Sequence, residues 1–89
     1  MQSEYCFIDV REPFEFLSGH VDGALNIPPA QLMMGAEKLK DVPKDANLVV
    51  YCHTGSRSNM AINILNQLGY KNVINGINKE QINKKFFNR

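Results

Sequence analysis

The chain has 89 residues, of which 44% are hydrophobic and 21% charged, with a formal net charge of +1. That is the make-up of one small globular domain, residues 1–89, and not of a disordered chain. A charge this close to zero gives no bulk attraction to nucleic acid or to an anionic membrane, no apolar run approaches the roughly 18 residues of a membrane span, and two cysteines, Cys6 and Cys52, are too few for a disulfide framework or a four-ligand zinc site.

The start, Met1-Gln2-Ser3-Glu4-Tyr5, has no basic region followed by an apolar stretch, so it does not read as a signal peptide. The expected location is cytoplasmic, or periplasmic if a leader has been removed. Residues 5–10 form a short, β-rich apolar run that reads as a buried strand ending near Asp9. Pro13 at a first helical position, with Phe14 and Leu17 three apart, predicts a short helix, and Gly19 suits a position just past its end. Residues 20–23 read as a turn and residues 24–27 as a second short strand, stopped by Pro28-Pro29. Leu32, Ala36 and Leu39 recur at helical spacing, which predicts a helix over about residues 31–40, weakened by Gly35. Met33-Met34 is expected to be adaptable core packing.

Residues 48–51 are four consecutive apolar residues, two of them valine, and read as a central strand. Ala61, Ile64, Leu65 and Leu68 mark the clearest amphipathic helix, with Gly69 as its stop. Val73-Ile74 reads as a further strand and Asn75-Gly76 as a turn. Ile82, Phe86 and Phe87 give a last helix an apolar stripe, with its lysines and Arg89 facing water. Strands alternating with helices predict an α/β fold, a mainly parallel central sheet flanked by helices. In such open sheets a site lies beyond the carboxyl ends of the strands, where Cys52 and Asp9 both fall.

The chemistry concentrates in Cys52-His53-Thr54-Gly55-Ser56-Arg57-Ser58, a thiol at a strand end followed by a short polar loop and a helix start. A free cysteine titrates near pH 8.5, and a helix N-terminus or a nearby cation lowers that value. The amides of residues 53–58 can curl around the sulfur and cradle an anion, Gly55 allows a positive φ, and Arg57 adds a fixed charge. A nucleophile inside an anion cup can attack phosphorus or a sulfane sulfur. Tyrosine-phosphatase loops have five residues between cysteine and arginine; here there are four, residues 53–56. The tighter cup disfavours a tetrahedral phosphate in line with the thiolate.

The six residues 52–57 resemble the active-site loop of the rhodanese family. The N-terminal part is similar too: Ile8-Asp9-Val10-Arg11-Glu12-Pro13, Phe16, and Gly19-His20-Val21-Asp22-Gly23-Ala24-Leu25-Asn26-Ile27-Pro28. The segment around Leu68-Gly69-Tyr70 also fits, so the resemblance covers residues 7 to about 78. It implies a small rhodanese-like domain and a two-step sulfur transfer. Cys52 would take the outer sulfur of thiosulfate, or of a persulfide donor such as a partner protein, and pass it to cyanide or a thiol. His53, Thr54, Gly55, Ser56 and Arg57 would bind the anionic donor, and no metal or organic cofactor is implied.

Three positions depart from the family pattern: Asp22 replaces a common proline, Asn75-Gly76 a common Gly-Gly, and Glu80 a frequent tryptophan. The chain also begins almost at the first motif strand, so it is expected to be an abbreviated form, similar to the small stress-associated sulfurtransferases. Two alternatives stay open: a non-catalytic persulfide relay or binding module, and a phosphatase or arsenate reductase using the same cup. Among the remaining residues, His20 is expected to be a hydrogen-bonded turn residue, and the ring of His53 to have only a modest part in tuning charge. Asp9 and Arg11 are expected to organise the rim or pair with Glu12 or Glu15. Cys6 is expected in the core. It lies about four residues, at roughly 3.3 Å each, from the level of Cys52, too far for a disulfide.

Overall fold

The computed structural model describes residues 5–87, so Arg89 lies outside the described residues. Four strands form one parallel sheet: β1 (Tyr5–Asp9), β2 (Leu25–Asn26), β3 (Asn47–Cys52) and β4 (Asn72–Asn78), in the order β2-β1-β3-β4. Four helices connect and follow them: α1 (Pro13–Leu17), α2 (Pro29–Met33), α3 (Ser56–Gln67) and α4 (Lys79–Phe86).

The continuous apolar runs of β1 and β3 follow from a sheet covered on both faces. Alternate residues feed two cores. Ile8, Leu48, Val50 and Cys52 pack with Leu32 of α2 and with Ala61 and Leu65 of α3. Phe7, Val49 and Tyr51 pack on the other face with Val21, Ala24 and Ile82 of α4, and Phe16 of α1 leans against them. Phe86 and Phe87 both approach Phe7, with ring centroids 5.5 and 5.4 Å away.

The sheet end is fixed by a buried polar cluster. Asp9 accepts from the Arg11 guanidinium at 2.7 Å and from the Tyr51 hydroxyl at 2.9 Å. Arg11 also donates to the Gly19 carbonyl, and the Val21 amide donates to the Tyr51 oxygen. Asn26 donates to the carbonyls of Asp9 and Arg11. Arg11 therefore pairs with Asp9 and not with Glu12 or Glu15, because burial makes the carboxylate demand a full partner. His20 is the turn residue its position suggested: its ring donates from Nδ1 to the Phe16 carbonyl and stacks on the Phe16 ring.

Three expectations are corrected. The helix over residues 31–40 is broken: α2 ends at Met33, the chain turns through positive φ at Gly35 and Ala36, and it resumes as a 3-10 turn at Glu37–Leu39. Leu32, Ala36 and Leu39 still reach the core, so the apolar spacing survives while the helix does not. The break leaves Met33 and Met34 facing outward, 74% and 86% exposed, instead of in the core. Finally, Asn75-Gly76 is not a turn but the middle of β4. Val50 pairs with Asn75 and Tyr51 with Ile77, so Gly76 is the extra residue of a bulge.

Gly76 is required by close packing. A Cβ there would lie 2.7 Å from the Ile82 side chain and 2.9 Å from Val49. Ile77 follows at φ +73, a region that costs a β-branched residue of order 1–3 kcal/mol. Gly76→Ala is predicted to destabilise the fold by about 1–3 kcal/mol through overpacking, read as a lower denaturation midpoint. An unchanged midpoint would show that Ile82 does not seat against the bulge.

Candidate active site

The loop leaves β3 at Cys52 and enters α3 at Ser56. Gly55 is the residue before the helix and adopts φ +95, which a side chain would resist. A glycine there supplies no side-chain cap for the first turn of α3. The Cys52 sulfur stands at that end of the helix: the Ser58 amide of the first turn is directed at it, the Gly55 amide just before the helix donates to Sγ at 3.1 Å, and the Ser58 hydroxyl lies 3.6 Å from it.

Cys52 is 2% exposed. Burial pushes its thiol up, but the Ser58 hydroxyl and the amides of Ser58, Gly55 and Thr54 together outweigh burial and hold it below the ordinary value. Cys6 is the opposite case: burial alone pushes its thiol up, with no donor set around it. Both cysteines are free thiols. Cys6 pairs in register with Leu48, at the far end of β3 from Cys52.

His53, Thr54 and Ser56 are exposed around the cup, and the Thr54 and Ser56 hydroxyls are 3.4 Å apart. Arg57 turns out of the first turn of α3 and meets Glu15 of α1, with contacts of 2.9 and 3.3 Å between the two guanidinium nitrogens and the two carboxylate oxygens. The Glu15 carboxylate also accepts from the Glu12 amide at the start of α1. The Arg57 hydrogen bond, and after it the Glu12 amide, lower the Glu15 carboxyl from 4.5 to about 2. The loop arginine is thus held by a carboxylate of a second helix.

Three residues at the site were not singled out by sequence. Glu15 was legible only as a surface acid, and its pairing needs α1 and α3 to meet. Ser58 was read for its amide, although its buried hydroxyl also touches the sulfur. Asn75 registered only as a departure from the family pattern. Among the described residues no group of three or more His, Cys, Asp or Glu side chains could hold a metal ion, and no helix is long and apolar enough to cross a membrane.

The profile of the rhodanese-like domain matches residues 1–77. The chain is 35% identical over 72 residues to a sulfurtransferase from Allochromatium vinosum, covering 81% of this chain and 64% of that one. It is 38% identical over 71 residues to the thiosulfate sulfurtransferase PspE of Escherichia coli, covering 78% of this chain and 65% of the relative. The fold superposes on a rhodanese from E. coli solved with anions, with a TM-score of 0.77 at 33% identity, over 88% of this chain and 91% of that one. The chain therefore belongs to the rhodanese family. It spans just under two thirds of the length of these two curated relatives.

The Glu15–Arg57 pair sets a pH dependence. A carboxyl lowered on folding contributes stability that is fully present above its unfolded value near 4.5 and is lost as pH falls toward 2. Arg57→Ala is expected to raise the Glu15 carboxyl toward the ordinary range, with the Glu12 amide still holding it somewhat below, read as a carboxyl chemical-shift titration. A Glu15 midpoint unmoved by that substitution would contradict the pairing.

Proposed function

We propose that the chain is a sulfurtransferase, a one-domain rhodanese that carries a sulfane sulfur on Cys52. The observation that carries this is the buried Cys52 sulfur facing the Gly55 amide at 3.1 Å, at the start of α3, with Arg57 in the first turn of that helix. This supports a thiolate facing a backbone amide that is already in place when charge builds on sulfur.

In the first step the Cys52 thiolate attacks the outer sulfur of thiosulfate. A bond forms between Sγ and that sulfur, the sulfur–sulfur bond of the donor breaks, and its electron pair leaves with sulfite. In the second step cyanide or a thiolate attacks the outer sulfur of the persulfide. The Cys52 thiolate is the leaving group, and it returns to its amide donors. The amides of residues 53–58 would carry the donor's negative charge. Arg57 would meet the donor as well, sharing its guanidinium with Glu15.

A second reading is favoured by one feature of α1. Phe14 and Leu17, on either side of Glu15, are 73% and 80% exposed. An apolar rim suits a protein that delivers persulfide directly. Under that reading the same Cys52 chemistry runs with a protein donor, and free thiosulfate is a poor substitute. A phosphatase is disfavoured by the four-residue loop.

Incubation with thiosulfate is expected to add one sulfur to Cys52, seen by intact mass and reversed by cyanide, and Cys52→Ser is expected to form neither persulfide nor thiocyanate. A fully active Cys52→Ser would overturn the proposal, and turnover of an aryl phosphate with none of thiosulfate would replace it. Steady-state rates with thiosulfate against a protein persulfide separate the two sulfur-transfer readings. Arg57→Ala is expected to raise KM for thiosulfate about tenfold or more, the usual loss for one charge-assisted anion contact.

A further inference from the structure

Asn75 lies on β4 just before the bulge, and its side chain makes four hydrogen bonds at the cup. Its Oδ1 accepts from the Ile77 amide at 2.8 Å and from the Ser58 hydroxyl at 2.7 Å. Its Nδ2 donates to the Gly55 carbonyl and to Asn59 Oδ1, both at 3.1 Å. The partners fix which atom is which: a backbone N–H can meet only the oxygen, and a carbonyl only the NH2.

Ser58 has one hydroxyl proton and three acceptors around it: Asn75 Oδ1 at 2.7 Å, the Gly55 carbonyl at 3.0 Å and Cys52 Sγ at 3.6 Å. The Gly55 carbonyl already receives the Asn59 amide at 3.0 Å and Asn75 Nδ2, which fill its two lone pairs. The proton therefore rests on Asn75. Cys52 then faces an oxygen lone pair, which suits a thiol donating its S–H and opposes a thiolate. The charged groups near the sulfur make no hydrogen bond to the Ser58 hydroxyl or to Asn75. Arg57 of α3 is paired with Glu15 of α1, Glu12 lies behind that pair, and His53 is exposed in the loop. β4 contains no titratable residue from Asn72 to Asn78.

We propose that Asn75 is a positioning residue that competes with Cys52 for the Ser58 hydroxyl proton, so that formation of the thiolate requires that hydroxyl to swing from Asn75 to the sulfur. When the Cys52 proton leaves to solvent and the hydroxyl turns, Asn75 Oδ1 keeps the Ile77 amide and gives up one donor. Asn75 thereby sets the fraction of Cys52 present as thiolate at neutral pH. This rests on Cys52 being the reactive thiol, but not on sulfur being its cargo.

The test is the pH dependence of Cys52 alkylation by iodoacetamide, followed by peptide mass so that Cys6 is read separately. It needs no sulfur donor, so a protein that fails to use thiosulfate can still pass it. Ser58→Ala is expected to slow alkylation at neutral pH about threefold to tenfold, since each tenfold loss of thiolate is one pH unit. In an Asn75→Asp background, where a carboxylate holds the proton, Ser58→Ala is expected to have no further effect. In an Asn75→Ala background, with the competitor gone, its effect is expected to exceed that in the native chain. A Ser58→Ala effect of equal size in all three backgrounds would reduce Asn75 to a structural support and overturn the proposal. Circular dichroism checks folding. If Asn75→Asp does not fold, the alanine background decides alone, a larger effect supporting the proposal and an equal or smaller one overturning it.

Discussion

The Gly55 amide lies 3.1 Å from the Cys52 sulfur, and the geometry of the loop follows from that contact. A strand that ends on a side chain pointing into the turn, followed at once by a helix, leaves the first helical amides without their usual cap. The sulfur occupies that position. The exchange works because Gly55 tolerates φ +95 and contributes no side chain of its own. The result is a thiol that burial would hold in its neutral form and that the surrounding donors pull the other way.

The loop needs a rigid base, and the end of the sheet provides it. Asp9 and Tyr51 are adjacent partners in β1 and β3, and their side chains meet Arg11 in a buried cluster. Breaking such a pair on one side costs about 3–5 kcal/mol, so the path from β1 into α1 is firmly set. α1 then carries Glu15 to Arg57. On the other side the bulge of β4, with Ile77 at φ +73, aims Asn75 at Gly55 and Ser58. Backbone strain at one residue thus supports a polar contact to the loop that follows Cys52.

Much of this was legible in the chain alone. Period and composition identified all four strands, α3 and α4, because each has an apolar face that must be buried. α1 was found from Pro13 and the Phe14–Leu17 spacing, although both of those apolar side chains face outward. The six residues 52–57 stood out as the candidate site because a thiol, a glycine and an arginine at that spacing have few other uses. The failures are local backbone events. The left-handed pair Gly35-Ala36 breaks a helix whose apolar spacing continues across the gap. The bulge at Gly76 looks like a turn because Asn-Gly is a turn sequence, while the packing of Ile82 that keeps it within the strand comes from a later helix. Glu15, the Ser58 hydroxyl and Asn75 were silent for a related reason. Their partners lie 42, 6 and 17–20 residues away along the chain.

The central claim is that Cys52 takes a sulfane sulfur and releases the rest of the donor before any acceptor arrives. Rapid mixing of the protein with excess thiosulfate in the absence of cyanide or thiol, with sulfite quantified over time, tests it most directly. The account predicts a burst of one sulfite per Cys52 that then stops. No burst, or steady release that continues without an acceptor, would contradict it.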